Sequence, residues 1–171
     1  MSAPKWLRAL GIPEPCIALK SSAEERGRRF SIHLGPGDRV WRVQVDGCWL
    51  DSSAGKKVDY LFWGQSSTKR RVILLVELKG KHLGDALQQI ERTLEHLCKR
   101  ADGRGIHVGP HQTSPGHDRH DSGGVQAHIV LSHGREMPQQ RRRLESIREK
   151  YHVLVYHREK RLEFDGLGTL P

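Results

Sequence analysis

Two carboxylates and an ammonium stand out by type and spacing: Asp59, then Glu77 and Lys79 within Glu77-Leu78-Lys79. Side chains alternate along a strand, so Glu77 and Lys79 share one face and Leu78 takes the other. If Asp59 lies beside Glu77, two carboxylates and a lysine converge on one point. Carboxylate oxygens, joined by the backbone carbonyl of Leu78, are the hard donors that Mg²⁺ prefers. A metal held there would lower the pKa of a bound water and stabilise charge on a phosphoryl oxygen. Lys79 would stand beside that water, orienting it and neutralising charge on the phosphate. This is equipment for hydrolysing a phosphodiester.

The elements that must position these groups are readable. Residues 71–80, RVILLVELKG, open as a Val/Ile/Leu run that suits a strand covered on both faces. Charges at its end are expensive to bury without partners. Residues 57–63, KVDYLFW, read as a second strand with Asp59 near its start. An antiparallel hairpin through 64–70 would bring Asp59 beside Glu77. After Gly80 the period changes: Leu87, Ile90, Leu94, Leu97 and Ala101 mark an amphipathic helix. Asp85 favours its first turn, and Lys99 and Arg100 its last.

Elsewhere, 5–10 suits a short helical turn, and Ser22 to Glu25 has capping-box spacing, although Gly27 follows too soon for a long helix. Residues 30–34 and 40–45 alternate and predict a hairpin through the 35–38 turn, with 48–50 following a turn or bulge at Asp46-Gly47. Segment 102–124, rich in Gly, His and Asp, predicts a long loop. Residues 125–131 predict a strand, 139–151 a helix, 153–156 a core strand and 161–164 a short edge strand. The expectation is a single α/β domain with a mixed central sheet flanked by helices. The crossover from 71–80 to 125–131 should be parallel and right-handed.

Composition narrows the partners. The chain has 171 residues and a formal net charge of +9, which favours polyanions and nucleic acid first among them. Basic clusters at Arg28-Arg29, Lys69-Arg70-Arg71 and Arg141-Arg142-Arg143 fit that reading, each also being compatible with plain solvated charge. His107, His111, His117 and His120 match no firm metal-ligand spacing; they suit a solvated loop or a flap touching DNA. His133 reads as structural. Trp41, Trp49, Tyr60, Phe62 and Trp63 sit on strand patterns and read as core. Cys16, Cys48 and Cys98 are odd in number and far apart, which argues against a disulfide framework and a cysteine zinc site. No secretory signal or membrane span is evident, so the expected setting is cytoplasmic.

Asp59, the 18-residue step to Glu77-Leu78-Lys79 on a buried strand, and the helix that follows resemble the PD-(D/E)xK nuclease superfamily, which includes type II restriction endonucleases and archaeal Holliday-junction resolvases. The resemblance spans roughly residues 40–156. It implies a restriction-endonuclease-like αβββαβ core and Mg²⁺- or Mn²⁺-dependent cleavage of nucleic acid, DNA before RNA. It makes Asp59 and Glu77 metal ligands and Lys79 the catalytic lysine. Several members carry a Gln on the next helix near the scissile phosphate; Gln89 is the better match here and Gln88 the lesser. Asp59 follows Val58 where the family often has Pro. Glu24 and Glu25 are the only local options for the acidic helix residue that many members carry. Phage defence, mobile elements and repair are the settings the family implies, with a homodimer and a regulatory protein partner both compatible. The alternative is a nuclease-like module that binds nucleic acid or assembles without turnover. The plainest reading is a sheet-edge salt bridge between Glu77 and Lys79, with Asp59 in a turn. Burial of the strand disfavours it, because buried ion pairs seldom repay their desolvation.

Overall fold

The computed structural model describes residues 3–51, 53, 55–79, 82–101, 125–131 and 138–167. The loop expected at 102–124 and His133 lie outside them. In chain order the elements are α1 (Lys5–Ala9), a 3-10 turn (Glu14–Cys16), β1 (Ile17–Ala18), β2 (Ser22–Glu25), β3 (Arg28–His33), β4 (Arg39–Gln44), β5 (Tyr60–Gln65), β6 (Arg71–Lys79), α2 (Leu83–Ala101), β7 (Val125–Leu131), α3 (Pro138–Tyr151), β8 (Leu154–Glu159) and β9 (Arg161–Asp165).

A six-stranded mixed sheet has the order β1-β4-β5-β6-β7-β8. Its first four strands pair antiparallel, and β6, β7 and β8 run parallel, as the long crossovers through α2 and α3 require. The β6 sequence follows from its place. Ile73 and Leu75 face a core built with Leu7 of α1, Leu87, Ile90 and Leu94 of α2 and Ile147 of α3. Val72, Leu74, Val76 and Leu78 face a second core with Ala23, Phe30 and Ile32. A strand buried on both faces has no polar side to alternate, hence the continuous apolar run.

Three expectations are corrected. Strands β3 and β4 do not form a hairpin. β3 belongs to a three-stranded sheet, β2-β3-β9, that covers one face of the large sheet, while the helices cover the other. The 35–38 turn carries the chain between sheets. Asp38 secures it by accepting backbone N–H groups from Gly35 (3.3 Å), Ser67 (3.0 Å) and Leu167 (3.1 Å). Ser22–Glu25 is a strand rather than a helix start, paired with β3 through Arg26 and Gly27, whose φ angles of 48° and 75° make the tight turn. Cys16 and Cys48 are joined by a disulfide with Cα atoms 5.6 Å apart. The reason is tertiary: pairing of Ile17 with Val43 brings the start of β1 alongside the end of β4.

Trp41, Trp49, Phe62 and Trp63 are buried, and Tyr60 is half-buried. Among the described residues no helix is long and apolar enough to cross a membrane. Between the two sheets His128 is fully buried, stacked on Tyr156 (centroids 5.3 Å) and edge-on to Phe164 (5.2 Å).

Burial pushes the His128 imidazole down from its ordinary 6.5 to about 3. Above pH 6.5 it is neutral both folded and unfolded, and its packing contributes fully. From about 6.5 down to about 3 only the unfolded chain takes the proton, so stability falls on acidification by up to ~1.4 kcal/mol per pH unit. Urea midpoints between pH 4 and 7 should fall less steeply in His128→Phe than in wild type. Parallel curves would show that His128 titrates alike in both states.

Candidate functional site

The β5–β6 register decides where the carboxylates go. Tyr60 pairs with Val76, so Asp59, one residue before β5, stands opposite Glu77. Leu61 and Leu75, on the same alternation as Asp59 and Glu77, belong to the helix-side core, so both acids turn toward the helix layer. Glu77 engages the backbone of Asp59, and Asp59 that of Leu78. The Asp59 N–H donates to Glu77 Oε2 at 3.1 Å, and the Leu78 N–H donates to Asp59 Oδ2 at 2.7 Å. Glu77 is only 1% exposed. A carboxylate so far from water needs donors such as these, and they fix both acids in position.

Helix α2 supports the same corner. Gln89, buried, donates its Nε2 to the Lys57 carbonyl at 2.7 Å. Thr93 Oγ1 accepts the Val58 N–H at 3.1 Å and donates to the Gln89 carbonyl at 2.9 Å. From the other side, the Val45 N–H donates to the Asp59 carbonyl at 3.0 Å. The turn after Val45 is held to β4 by Trp49 N–H on the Gln44 carbonyl and is bridged to the N-terminal segment through Cys48.

Of the residues expected from sequence, Asp59, Glu77, Leu78 and Gln89 meet at this corner, with Gln88 beside Gln89 and half-buried. Gln89 braces the backbone leading to Asp59, and its Oε1 is buried without a hydrogen-bond partner. Lys79 is the last residue of β6, paired in register with Leu131; its side chain lies outside the described residues. Glu24 and Glu25 fall on β2, in the small sheet, and not on a helix.

Two supporting residues escaped the sequence reading. Lys57 was read only as the first residue of the 57–63 strand, yet it lies ahead of β5 and its side chain is 2% exposed, donating to the Asp51 carbonyl with Asp46 Oδ1 at 3.6 Å. Thr93 lies on the buried side of α2, and only its place one turn after Gln89 hinted at a role.

The donor chemistry suits a hard divalent cation. Asp59 and Glu77 offer carboxylate oxygens, and Leu78, next after Glu77, a backbone carbonyl; among the described residues no thiolate or imidazole joins them. Among the described residues there is no group of three or more His, Cys, Asp or Glu able to hold a metal, so a cation here would rest on this carboxylate pair. Compared with known protein families, characterised proteins and solved structures, the chain matches none.

Thr93→Val keeps the shape of the side chain and removes the acceptor for the buried Val58 N–H. It should cost about 1–3 kcal/mol in urea denaturation, the usual penalty for a stranded buried donor. Thr93→Ser should recover most of that loss. Equal stability of Thr93→Val and wild type would remove α2 as the support for the Asp59 segment.

Proposed function

We propose that this protein is a Mg²⁺- or Mn²⁺-dependent nuclease of the PD-(D/E)xK type that hydrolyses phosphodiester bonds in nucleic acid, DNA before RNA. The observation that carries the reading is the reciprocal clasp of Asp59 and Glu77 at adjacent strand ends, turned toward one layer. The run β4–β5–β6–α2–β7, antiparallel and then parallel, supports it, because this is the βββαβ order that the family implies, here with α1 ahead of it. The net charge of +9 supports a polyanionic substrate.

In this reading Asp59, Glu77 and the Leu78 carbonyl hold the metal. When bound, such an ion would supply a water of lowered pKa and charge stabilisation at a phosphoryl oxygen. Glu77 stays fixed through its bond to the Asp59 N–H and Asp59 through its bond to the Leu78 N–H, so little reorganisation is needed when substrate arrives. Lys79 lies two residues beyond Glu77 on the same strand and neutralises charge at the phosphate. Gln89 acts as a brace that keeps the Lys57 carbonyl, and with it Asp59, in place. A cytoplasmic setting in defence, mobile-element or repair processes, a homodimer and a regulatory protein partner are extensions of the family reading.

Plasmid cleavage with Mg²⁺ tests the proposal. Glu77→Ala and Lys79→Ala should each lower the rate by roughly 10²-fold or more, the usual scale for removing one preorganised electrostatic group. Mg²⁺ should raise the melting temperature of wild type and leave Asp59→Asn unmoved. Equal cleavage by all three proteins would remove the site assignment. DNA binding with no cleavage and no metal-dependent melting shift would replace the enzyme with the binding-module reading.

A further inference from the structure

Arg28 is unusual outside the carboxylate corner. It opens β3, immediately after the Arg26-Gly27 turn, and is only 6% exposed. Its side chain shares the face of β3 that carries Phe30 and Ile32, both buried between the sheets. Its Nε is buried with no hydrogen-bond partner among the described residues. A guanidinium presents five donors and keeps its charge under all ordinary conditions. Burying one with a donor unmet is costly unless an anion completes the site.

The position of this hairpin tip gives the anion its meaning. Glu25 pairs in register with Arg28. The Arg29 N–H donates to the Lys160 carbonyl at 3.0 Å, and Lys160 follows Glu159, which stands in register with Leu131 and through it with Lys79, so the tip lies at the Lys79 end of the large sheet. Tyr60 packs on the same intersheet core as Phe30. The tip therefore sits at the end of the large sheet where Asp59 and Glu77 meet, but in the opposite layer. Stacked sheets are about 10 Å apart, so a polyanion crossing the strand ends can touch both layers.

The other basic clusters fit this role less well. Lys69, Arg70 and Arg71 lie at the β5–β6 turn, six residues up the ladder from Asp59 and Glu77 and roughly 20 Å away. On α3, Arg143 is paired with Glu91 at 2.8 Å and Lys150 lies 3.6 Å from Glu95.

We infer that the β2–β3 hairpin tip is a phosphate-binding element, with Arg28 taking an oxygen of the nucleic-acid backbone next to the phosphate presented to Asp59 and Glu77. The inference rests on reading this end of the sheet as a nucleic-acid site, and not on turnover there. Arg26 lies at the exposed turn and Arg29 beside Arg28, where they add positive field without being buried.

The test is fluorescence anisotropy of the full-length protein with a labelled DNA duplex and its single strand, in EDTA, across a salt series. Thermal melting of the free protein runs in parallel. Arg28→Met should bind about tenfold more weakly, with the slope of log K against log salt shallower by about one. Its free-state melting temperature should equal or exceed that of wild type, because an uncompensated buried charge has gone. Lys69→Asn removes the same charge at the opposite end and suits the φ of 65° there; it should leave affinity nearly unchanged. Should Arg28→Met not fold, Arg28→Lys replaces it, expected to fold and bind at an intermediate affinity. Unchanged binding by the Arg28 variants would overturn the inference, as would an equal loss in Lys69→Asn. So would a large fall in melting temperature with binding intact, which marks Arg28 as structural. If wild type binds but cleaves nothing with Mg²⁺ while Arg28→Met still loses affinity, the phosphate contact stands and the nuclease reading falls.

Discussion

The pairing register of β5 against β6 is the constraint on which the corner depends. A slip of one residue would send Asp59 or Glu77 to the small-sheet face and strand an acid among Phe62, Leu74 and Val76. Two features oppose that slip. A slipped strand would carry its carboxylate into the apolar small-sheet core, at a desolvation cost. The bonds from Asp59 N–H to Glu77 and from Leu78 N–H to Asp59 form only when the two residues stand opposite each other. Placement of the acids and pairing of the strands are therefore one fact, and each carboxylate helps to stabilise the register that positions the other.

The segment before β5 is not a strand, so it needs other supports. It has them on three sides. Helix α2 reaches it through Gln89 and Thr93. β4 reaches it through the Val45 N–H. The 46–51 turn reaches it through the buried ammonium of Lys57, which takes the Asp51 carbonyl and lies near Asp46. The Cys16–Cys48 bridge closes that turn against β1 and so restrains the chain on the outer side of β4. Most of these contacts join residues far apart in sequence, which makes the corner a product of the completed fold and not of any local motif.

That distribution explains what could be read from sequence. β6, β5 and β7 were legible as short apolar runs and α2 and α3 as helical periods, and residues 64–70 are a plausible turn between two strands. The opposition of Asp59 and Glu77 followed from an antiparallel hairpin through 64–70. The division into two sheets was not legible: residues 30–34 and 40–45 alternate equally well, and turn chemistry at 35–38 does not reveal whether the chain doubles back or changes layer. Ser22 to Glu25 carries a helix-start spacing that lost to pairing with β3. The disulfide depends on a two-residue edge strand with no periodic signal. Lys57 was hidden because a lysine at the start of a strand looks solvated until the 46–51 turn is seen to fold over it.

The charge of the chain is spread in a way that bears on how a polyanion would approach. On α3, Arg143 and Lys150 are engaged with Glu91 and Glu95 of α2, and Glu145 and Glu149 lie on its exposed side, so the helix presents a mixed surface. The basic β5–β6 turn lies at the opposite end of the sheet from the carboxylates. Net charge therefore describes a long-range field that attracts an anion and is weakened by salt, not a map of contacts. A contact calls for a group whose own environment is unsatisfied without the ligand. Surface lysines and arginines lose little when unliganded, because water serves them. A buried guanidinium with an unmet donor does lose, and that asymmetry separates Arg28 from the other cations of a strongly basic chain.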